Sequence, residues 1–290
     1  MPFPHRKKAC YTYSIVLLDI DGTLVDSNDQ ISHNTKSLLN RLEKNEIPVI
    51  LCSARSPSGV EMVVRQVGLH SPIVCYGGSL ILDADRSIIE DTGIGGDSAV
   101  EFKQFAAREF PNITVSAYMY DIWLVDSISD PNVQLVAQRN QCEPLVGELE
   151  AAIRSVSHVH KLLCMGTPEE ITRLQDRAAR QFPELEFARS GTIYLEVLAK
   201  GISKRTAMEK LQEYYHVDGK RVVAMGDYYV DLEMLRHAGL GIAMGNAPDA
   251  VKEAAASVTA SCDEKGVYIA LKHLKFTPPE ILRCGEQVTL

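Results

Sequence analysis

No apolar run in this 290-residue chain approaches the ~20 residues that a bilayer-spanning helix needs, so no membrane partner is expected. The N-terminus carries a basic patch (His5, Arg6, Lys7, Lys8), but no apolar stretch follows it, and a secretory leader is not expected either. C-x-x-C pairs are missing, and the seven cysteines are scattered. Reduced thiols in a cytoplasmic protein fit that spacing better than a disulfide framework or a zinc site. Cys52 and Cys75 fall inside apolar runs and read as small core residues. Basic clusters are absent as well; the formal net charge is -8, which argues against nucleic acid as a main partner. Low-complexity tracts and internal repeats are also lacking.

What is present is ordinary globular material, 46% hydrophobic and 23% charged. Short, near-continuous apolar runs occur at 13–18, 49–52, 73–75, 221–225 and 240–244. Unbroken apolarity, without alternation, marks strands buried on both faces of a parallel sheet. Helical patterns lie between them at 35–45, 59–67, 203–215, 231–238 and 248–256. This alternation predicts a doubly wound α/β core. The middle of the chain differs, with strand patterns at 113–125, 158–165 and 192–197 and amphipathic helices at 98–110 and 168–182. A stretch this long is not a structureless loop. The expected organisation is a core from 1–82 and 199–290 with an inserted α+β domain at 83–198.

The most telling stretch is Asp19-Ile20-Asp21-Gly22-Thr23-Leu24, which closes the first apolar run. Two carboxylates one residue apart at a strand's C-terminal end project into the crevice where open α/β sheets bind ligands. Such a pair repels itself and needs a cation, a shared proton or solvent. Gly22-Thr23 lets the backbone turn sharply and offer amides and a hydroxyl to an anion. Mg²⁺ and phosphate suit this arrangement, with one aspartate free to attack phosphorus. A solvated strand-to-loop junction is the plainer alternative.

Three further pieces share that logic. Ser53, in Ser53-Ala54-Arg55, follows the second run; it offers a hydroxyl and the next amide to a phosphate oxygen, or else caps a helix. Ser203 has the look of an N-cap, which puts Lys204 in the first helical turn. A cation there needs compensation that a shared anion would supply; a solvated lysine is the alternative. Asp227, after Gly226, brings a third carboxylate to the same sheet edge, a set suited to a hard cation. Asp231 either orients Lys204 or a metal-bound water, or simply favours the start of the next helix.

In this order the four pieces resemble the haloacid dehalogenase-like hydrolase superfamily, and within it the Cof-type branch, whose square α/β cap is inserted between the second and third motifs. Residues Asp19 to Leu24 are similar to the first motif and Ser53-Ala54-Arg55 to the second. Gly201-Ile202-Ser203-Lys204 is similar to the third, and Gly226-Asp227 through Asp231 to the fourth. The tail also resembles the branch: Ala243-Met244-Gly245-Asn246-Ala247, then Val251-Lys252, then Asp263-Glu264-Lys265-Gly266-Val267. The likeness covers nearly the whole chain.

That resemblance implies a doubly wound, mainly parallel, Rossmann-like core sheet with an inserted α+β cap. It implies a Mg²⁺-dependent phosphatase, a phosphoric monoester hydrolase acting on small phosphorylated metabolites such as sugar phosphates or phosphorylated cofactors. By it, Asp19 is the nucleophile that forms an aspartyl-phosphate. Asp21 protonates the leaving oxygen and later activates water, while its backbone carbonyl reaches Mg²⁺. Asp19 and Asp227 supply metal carboxylates. Ile20, Thr23, Ser53, Ala54 and Lys204 hold the phosphoryl group or restrain the aspartates, with Asp231 behind them. A monomer or weak homodimer is expected.

The sequence departs from the branch at three places. Val230 stands where the fourth motif usually has an Asn that helps to hold phosphate, Tyr228 where a small or amide residue is common, and Tyr76 where an Asn-Gly-Ala turn has its Asn. A missing donor to phosphate costs on the order of 1–3 kcal/mol, which slows turnover without abolishing it. These residues keep two alternatives open, a phosphomutase-type phosphotransferase and a non-catalytic binder of phosphorylated ligands. In the inserted segment, Tyr118, Tyr120 and Trp123 alternate on one expected strand, at the site entrance or in sheet-face packing. His158 and His160 share a strand face and, with no third ligand in view, are read as surface residues.

Overall fold

The computed structural model describes residues 12–140 and 143–279; the basic patch at His5, Arg6, Lys7 and Lys8 lies outside them. The chain forms an α/β molecule with two main sheets. In the eight-stranded sheet, Ile15–Leu18 is central, with Val222–Gly226 on one side and Val49–Cys52 on the other, both parallel to it. Ile73–Cys75, Leu240–Ala243 and Ser257–Val258 extend the parallel region. Leu80–Leu82 and Ile88–Asp91 then add an antiparallel edge. The first sheet thus continues to Asp91, and the strands outside it begin at Ile94–Gly95.

Alternate residues of each central strand enter different cores. Val16, Leu18, Val49, Leu51, Val223 and Met225 pack on one face. Ile15, Leu17, Ile50, Cys52, Val222 and Ala224 pack on the other. Both side-chain sets are apolar because helices cover both faces, and this is why the sequence shows runs instead of alternation. Helix Pro57–Val67 begins earlier than its apolar pattern because Ser56 caps it and Pro57, needing no N–H partner, opens it.

The second sheet has six strands in the order Leu185–Arg189, Tyr194–Ala199, Lys161–Met165, Thr114–Met119, Ile122–Val125 and Leu145–Val146. Helices Gly96–Glu109 and Pro168–Gln181 pack on it through a cluster that includes Phe102, Phe105 and Phe182. The strand expected over 113–125 is instead a hairpin. Its chain reverses at Tyr120, which has a left-handed φ of 50°, and Asp121. Tyr118 and Trp123 consequently face each other across two strands, stacked at 5.9 Å, and do not alternate along one. The strand expected over 158–165 is likewise broken at His160. Among the described residues no helix is long and apolar enough to cross a membrane.

Candidate active site

Three loops converge because three parallel strands end together. Leu18 is in register with Met225 on one side and Leu51 on the other, so Asp19, Asp227 and Ser53 all emerge at the C-terminal edge of the sheet. Gly22, at φ 77°, turns the first loop so closely against Asp227 that a Cβ there would lie 2.4 Å from its carboxylate.

Lys204 sits at the first turn of helix Lys204–Tyr215, whose N-cap is Ser203. Its Nζ donates to Asp19 Oδ1 at 2.5 Å and to Asp231 Oδ1 at 2.6 Å, all three side chains being nearly inaccessible. The other Asp231 oxygen accepts the backbone N–H groups of Asp227 (3.1 Å) and Tyr228 (3.0 Å). Both oxygens of Asp231 are therefore occupied in orienting Lys204 and the Asp227 loop. Asp227 accepts from Thr23 Oγ1 at 3.1 Å and from Asn246 Nδ2 at 3.2 Å, one donor on each oxygen. A lone pair remains on each for another ligand.

Charge in this cluster is unbalanced. Oxygens of Asp19, Asp227 and Asp231 lie within 4.8 Å of one another, around a single ammonium. Burial pushes the Asp19 carboxyl well above the usual range; Lys204 opposes that, and the neighbouring carboxylates add to it. Burial, then Asp231, pushes Asp227 up to about 7 against the pull of Lys204. For Lys204 burial favours the neutral form, but Asp19 and Asp231 outweigh it and hold the ammonium above its ordinary value. A buried carboxylate set that outnumbers its cations is one that a hard divalent ion neutralises. The oxygen donors of Asp19 and Asp227 fit Mg²⁺.

The expected phosphate-side residues are close by, with particular present partners. Ser53 is buried and does not cap the following helix, that place being taken by Ser56; its Oγ accepts from Arg55 N at 3.2 Å. Thr23 restrains Asp227, as above. Ile20 is buried, and its carbonyl accepts the N–H groups of Thr23, Leu24 and Val25, forming the tight turn after Asp19. The Ala54 carbonyl accepts Lys161 Nζ at 2.7 Å.

Sequence reasoning missed three partners. Arg55 grips Asp21 bidentately, Nε to Oδ2 at 2.9 Å and Nη2 to Oδ1 at 2.6 Å. Asn246 joins the Gly22 carbonyl (2.9 Å) to Asp227. Lys161, buried and paired with Glu196 at 2.7 Å, comes from the second sheet. Arg55 and Asn246 both lay inside motif stretches, and that was the only signal for their roles.

The histidines differ from the expectation of surface residues. His160 is wholly buried and His158 largely so, because the partly buried Asp91 supplies an acceptor: its Oδ1 meets His158 Nε2 at 2.8 Å and His160 Nε2 at 2.9 Å. Tyr120 Oη donates to Asp91 Oδ2 at 2.8 Å, and the Tyr120 N–H donates to His160 Nδ1 at 3.1 Å. That N–H obliges His160 to carry its proton on Nε2, which makes this nitrogen a donor to Asp91 and not a metal ligand. Tyr76, also wholly buried, stacks on His160 at 5.4 Å, and its hydroxyl donates to the Tyr120 carbonyl. Tyr76 therefore ties the first sheet to the hairpin turn. Tyr118 and Trp123 are buried in packing, and Tyr120 is half exposed.

A cavity of about 560 Å³ lies between the two sheets, with Lys204, Tyr228 and Val230 on one wall and Phe187 and Arg189 on the other.

A family model described as haloacid dehalogenase-like hydrolase matches residues 16–271. A Haemophilus influenzae protein carrying a provisional phosphatase name is 34% identical over 261 residues, covering 90% of this chain and 97% of its own length. A Bacillus subtilis 5-amino-6-(5-phospho-D-ribitylamino)uracil phosphatase is 27% identical over 268 residues, covering 89% and 96%. The crystal structure of a haloacid dehalogenase-like hydrolase from Bacteroides thetaiotaomicron matches with a TM-score of 0.80 at 26% identity, over 90% of this chain and 99% of that one.

Proposed function

Because this chain belongs to the haloacid dehalogenase-like hydrolase family, we propose that it is a Mg²⁺-dependent phosphatase of small phosphorylated metabolites that works through an aspartyl-phosphate on Asp19. One observation carries this reading: the buried Lys204 ammonium shared by Asp19 and Asp231 beside Asp227. It fixes the nucleophile's carboxylate and leaves net negative charge where a cation and a phosphoryl group would meet.

In this reading an Asp19 oxygen attacks phosphorus as the ester P–O bond breaks, and Asp21 gives a proton to the leaving oxygen. Asp21 then takes a proton from the water that attacks the acyl phosphate, releasing inorganic phosphate and restoring Asp19. Arg55 holds both Asp21 oxygens, so that pair has to open before the carboxyl carries a proton. Mg²⁺, held by Asp19, Asp227 and the Asp21 carbonyl, would neutralise charge on the phosphoryl oxygens. Lys204, Ser53, Thr23 and the backbone at Ile20 and Ala54 position the phosphoryl group, and most of the catalysis is such positioning. The inserted segment, expected at 83–198, acts as a cap that covers the crevice and selects the leaving group.

Phosphate release from a panel of phosphorylated metabolites tests this. Release is expected to need both Mg²⁺ and Asp19, and to vanish in Asp19→Asn. Silence from folded wild-type protein across the panel would shift the reading to a phosphomutase or a non-catalytic binder, and would make Val230→Asn the next variant to assay.

A further inference from the structure

Position 161 holds a lysine where an apolar side chain of similar length would fill the space. Lys161 is 5% exposed and lies between the two sheets. Its ammonium pairs with Glu196 Oε2 at 2.7 Å and sits over the Tyr118 and Tyr76 rings, 4.8 and 5.6 Å from their centroids. Ser190 Oγ donates to the other Glu196 oxygen at 2.7 Å. A buried ion pair of this kind adds little stability over well-packed apolar residues of the same volume. Packing alone therefore does not account for the lysine.

Its remaining contact does. Three successive carbonyls emerge in the Ser53-Ala54-Arg55 loop. Those of Ser53 and Arg55 accept the backbone N–H groups of Gly77 (2.9 Å) and Tyr76 (3.1 Å), which follow the neighbouring strand Ile73–Cys75. The Ala54 carbonyl between them accepts Lys161 Nζ at 2.7 Å, from the six-stranded sheet. The same peptide unit ends in Arg55 N, which donates to Ser53 Oγ, and the Arg55 guanidinium holds both oxygens of Asp21. The peptide plane between Ala54 and Arg55 is thus held at both ends, and it sets where the guanidinium starts from. Since the Arg55–Asp21 pair opens before Asp21 carries a proton and re-forms once the proton is given up, that origin has to stay fixed through the cycle.

We infer that Lys161 is a positioning residue for proton transfer: through the Ala54 carbonyl it fixes Arg55, and through Arg55 it aims Asp21 at the leaving oxygen. The inference rests on the phosphatase reading of the site. The step it serves is the breaking of the ester P–O bond, in which Asp19 takes the phosphoryl group and the leaving oxygen takes the Asp21 proton. Ala54 and Glu196 line the cavity, and Lys161 stands behind them. A displaced acid slows each ester according to how much its leaving group needs the proton.

The test therefore pairs two kinds of ester. p-Nitrophenyl phosphate expels a stable phenolate, whereas a sugar phosphate such as glucose 6-phosphate expels an alkoxide that has to be protonated. For each, kcat/KM reports the steps up to loss of the leaving group. Lys161→Met alone strands the buried Glu196 carboxylate, so it is combined with Glu196→Gln, and Glu196→Gln alone is the reference. Against that reference, with Mg²⁺, the double variant is expected to lose about 10–100-fold on the sugar phosphate that the wild type hydrolyses fastest, and less than about 3-fold on p-nitrophenyl phosphate, the pattern of a misplaced acid. Should the double variant not fold, Lys161→Gln/Glu196→Gln, whose amides bond each other while the shorter side chain stops short of Ala54, is read in its place. Lys161→Arg keeps a donor for Ala54 and is expected to retain the wild-type ratio of the two esters. Arg55→Gln is expected to show the same ester-selective loss, and combining it with the double variant to add little, because both act on one carboxylate. Equal losses on the two esters, or no loss on either, would overturn the inference and leave the phosphatase reading standing. A folded wild type that releases phosphate from neither kind of ester overturns both.

Discussion

Replacing Lys204 by Met removes the ammonium that two buried carboxylates share. The variant is expected to lose about 3–5 kcal/mol of stability, since one broken pair leaves uncompensated buried charge. Turnover is expected to fall by about 10²–10³-fold, as when a fixed donor to a transition state is deleted. Denaturant unfolding and phosphate release measure the two effects separately. Asp227 bears on the metal instead: added Mg²⁺ is expected to raise the melting temperature of the wild type, and Asp227→Asn is expected to abolish most of that rise, which calorimetry reads without any substrate. Asp19, Asp21 and Asp227 could be read from the sequence because each follows a buried apolar run of one parallel sheet, and Lys204 because Ser203 marks the start of the helix it opens. Their partners could not. Arg55 reaches Asp21 across 34 positions and Asn246 reaches Gly22 across 224, and nothing local in either sequence announces such a bond.

At the scale of elements, buried parallel strands were readable because both of their faces are covered. The hairpin at Tyr120 was not, because Thr114–Met119 and Ile122–Val125 share one apolar character and the turn lacks the glycine that usually marks a left-handed residue. His160, at the break between two short strands, is where this matters for pH. Burial holds its imidazole below its ordinary value, while Asp91 partly opposes that. Below about pH 6.5 the unfolded chain takes up a proton that the folded His160 does not. Stability is therefore fully present above that pH and is expected to decline as pH falls towards the folded value. Gln at position 160 can still donate to Asp91 but does not titrate, so His160→Gln is expected to flatten the slope in unfolding measured between pH 5 and 8.

Taken whole, the molecule is fastened along one side. The Tyr76 hydroxyl meets the Tyr120 carbonyl, Ser58 N donates to Asp121 at 2.7 Å, Lys161 reaches the Ala54 carbonyl, and Asp91 gathers Tyr120, His158 and His160. The cavity beside Lys204 begins at these ties, Ala54 and Tyr76 being among its lining residues, and extends to the strand Leu185–Arg189 and the turn at Tyr229. Any movement of the six-stranded sheet over the first during turnover is expected to pivot about the Tyr120 turn. Spin labels at the cavity rim should approach each other when a phosphate analogue binds, while a pair beside Tyr76 and Tyr120 stays fixed; identical distances at the rim with and without the analogue would count against closure. Tyr76→Phe, which keeps the ring, is expected to cost about 1 kcal/mol for the lost donor, and Tyr76→Asn about 3 kcal/mol or more because it empties a filled core position.

The Lys161–Ala54 contact has a bearing on modularity. A lysine rooted in the six-stranded sheet grips the backbone between Ser53 and Arg55, the latter holding the proposed acid Asp21. Exchanging the six-stranded sheet with that of a relative would therefore also change what the loop at Ala54 rests on. A chimera lacking a lysine at this place would leave the Ser53-Ala54-Arg55 loop without this tether, and with it the support of the arginine that holds Asp21.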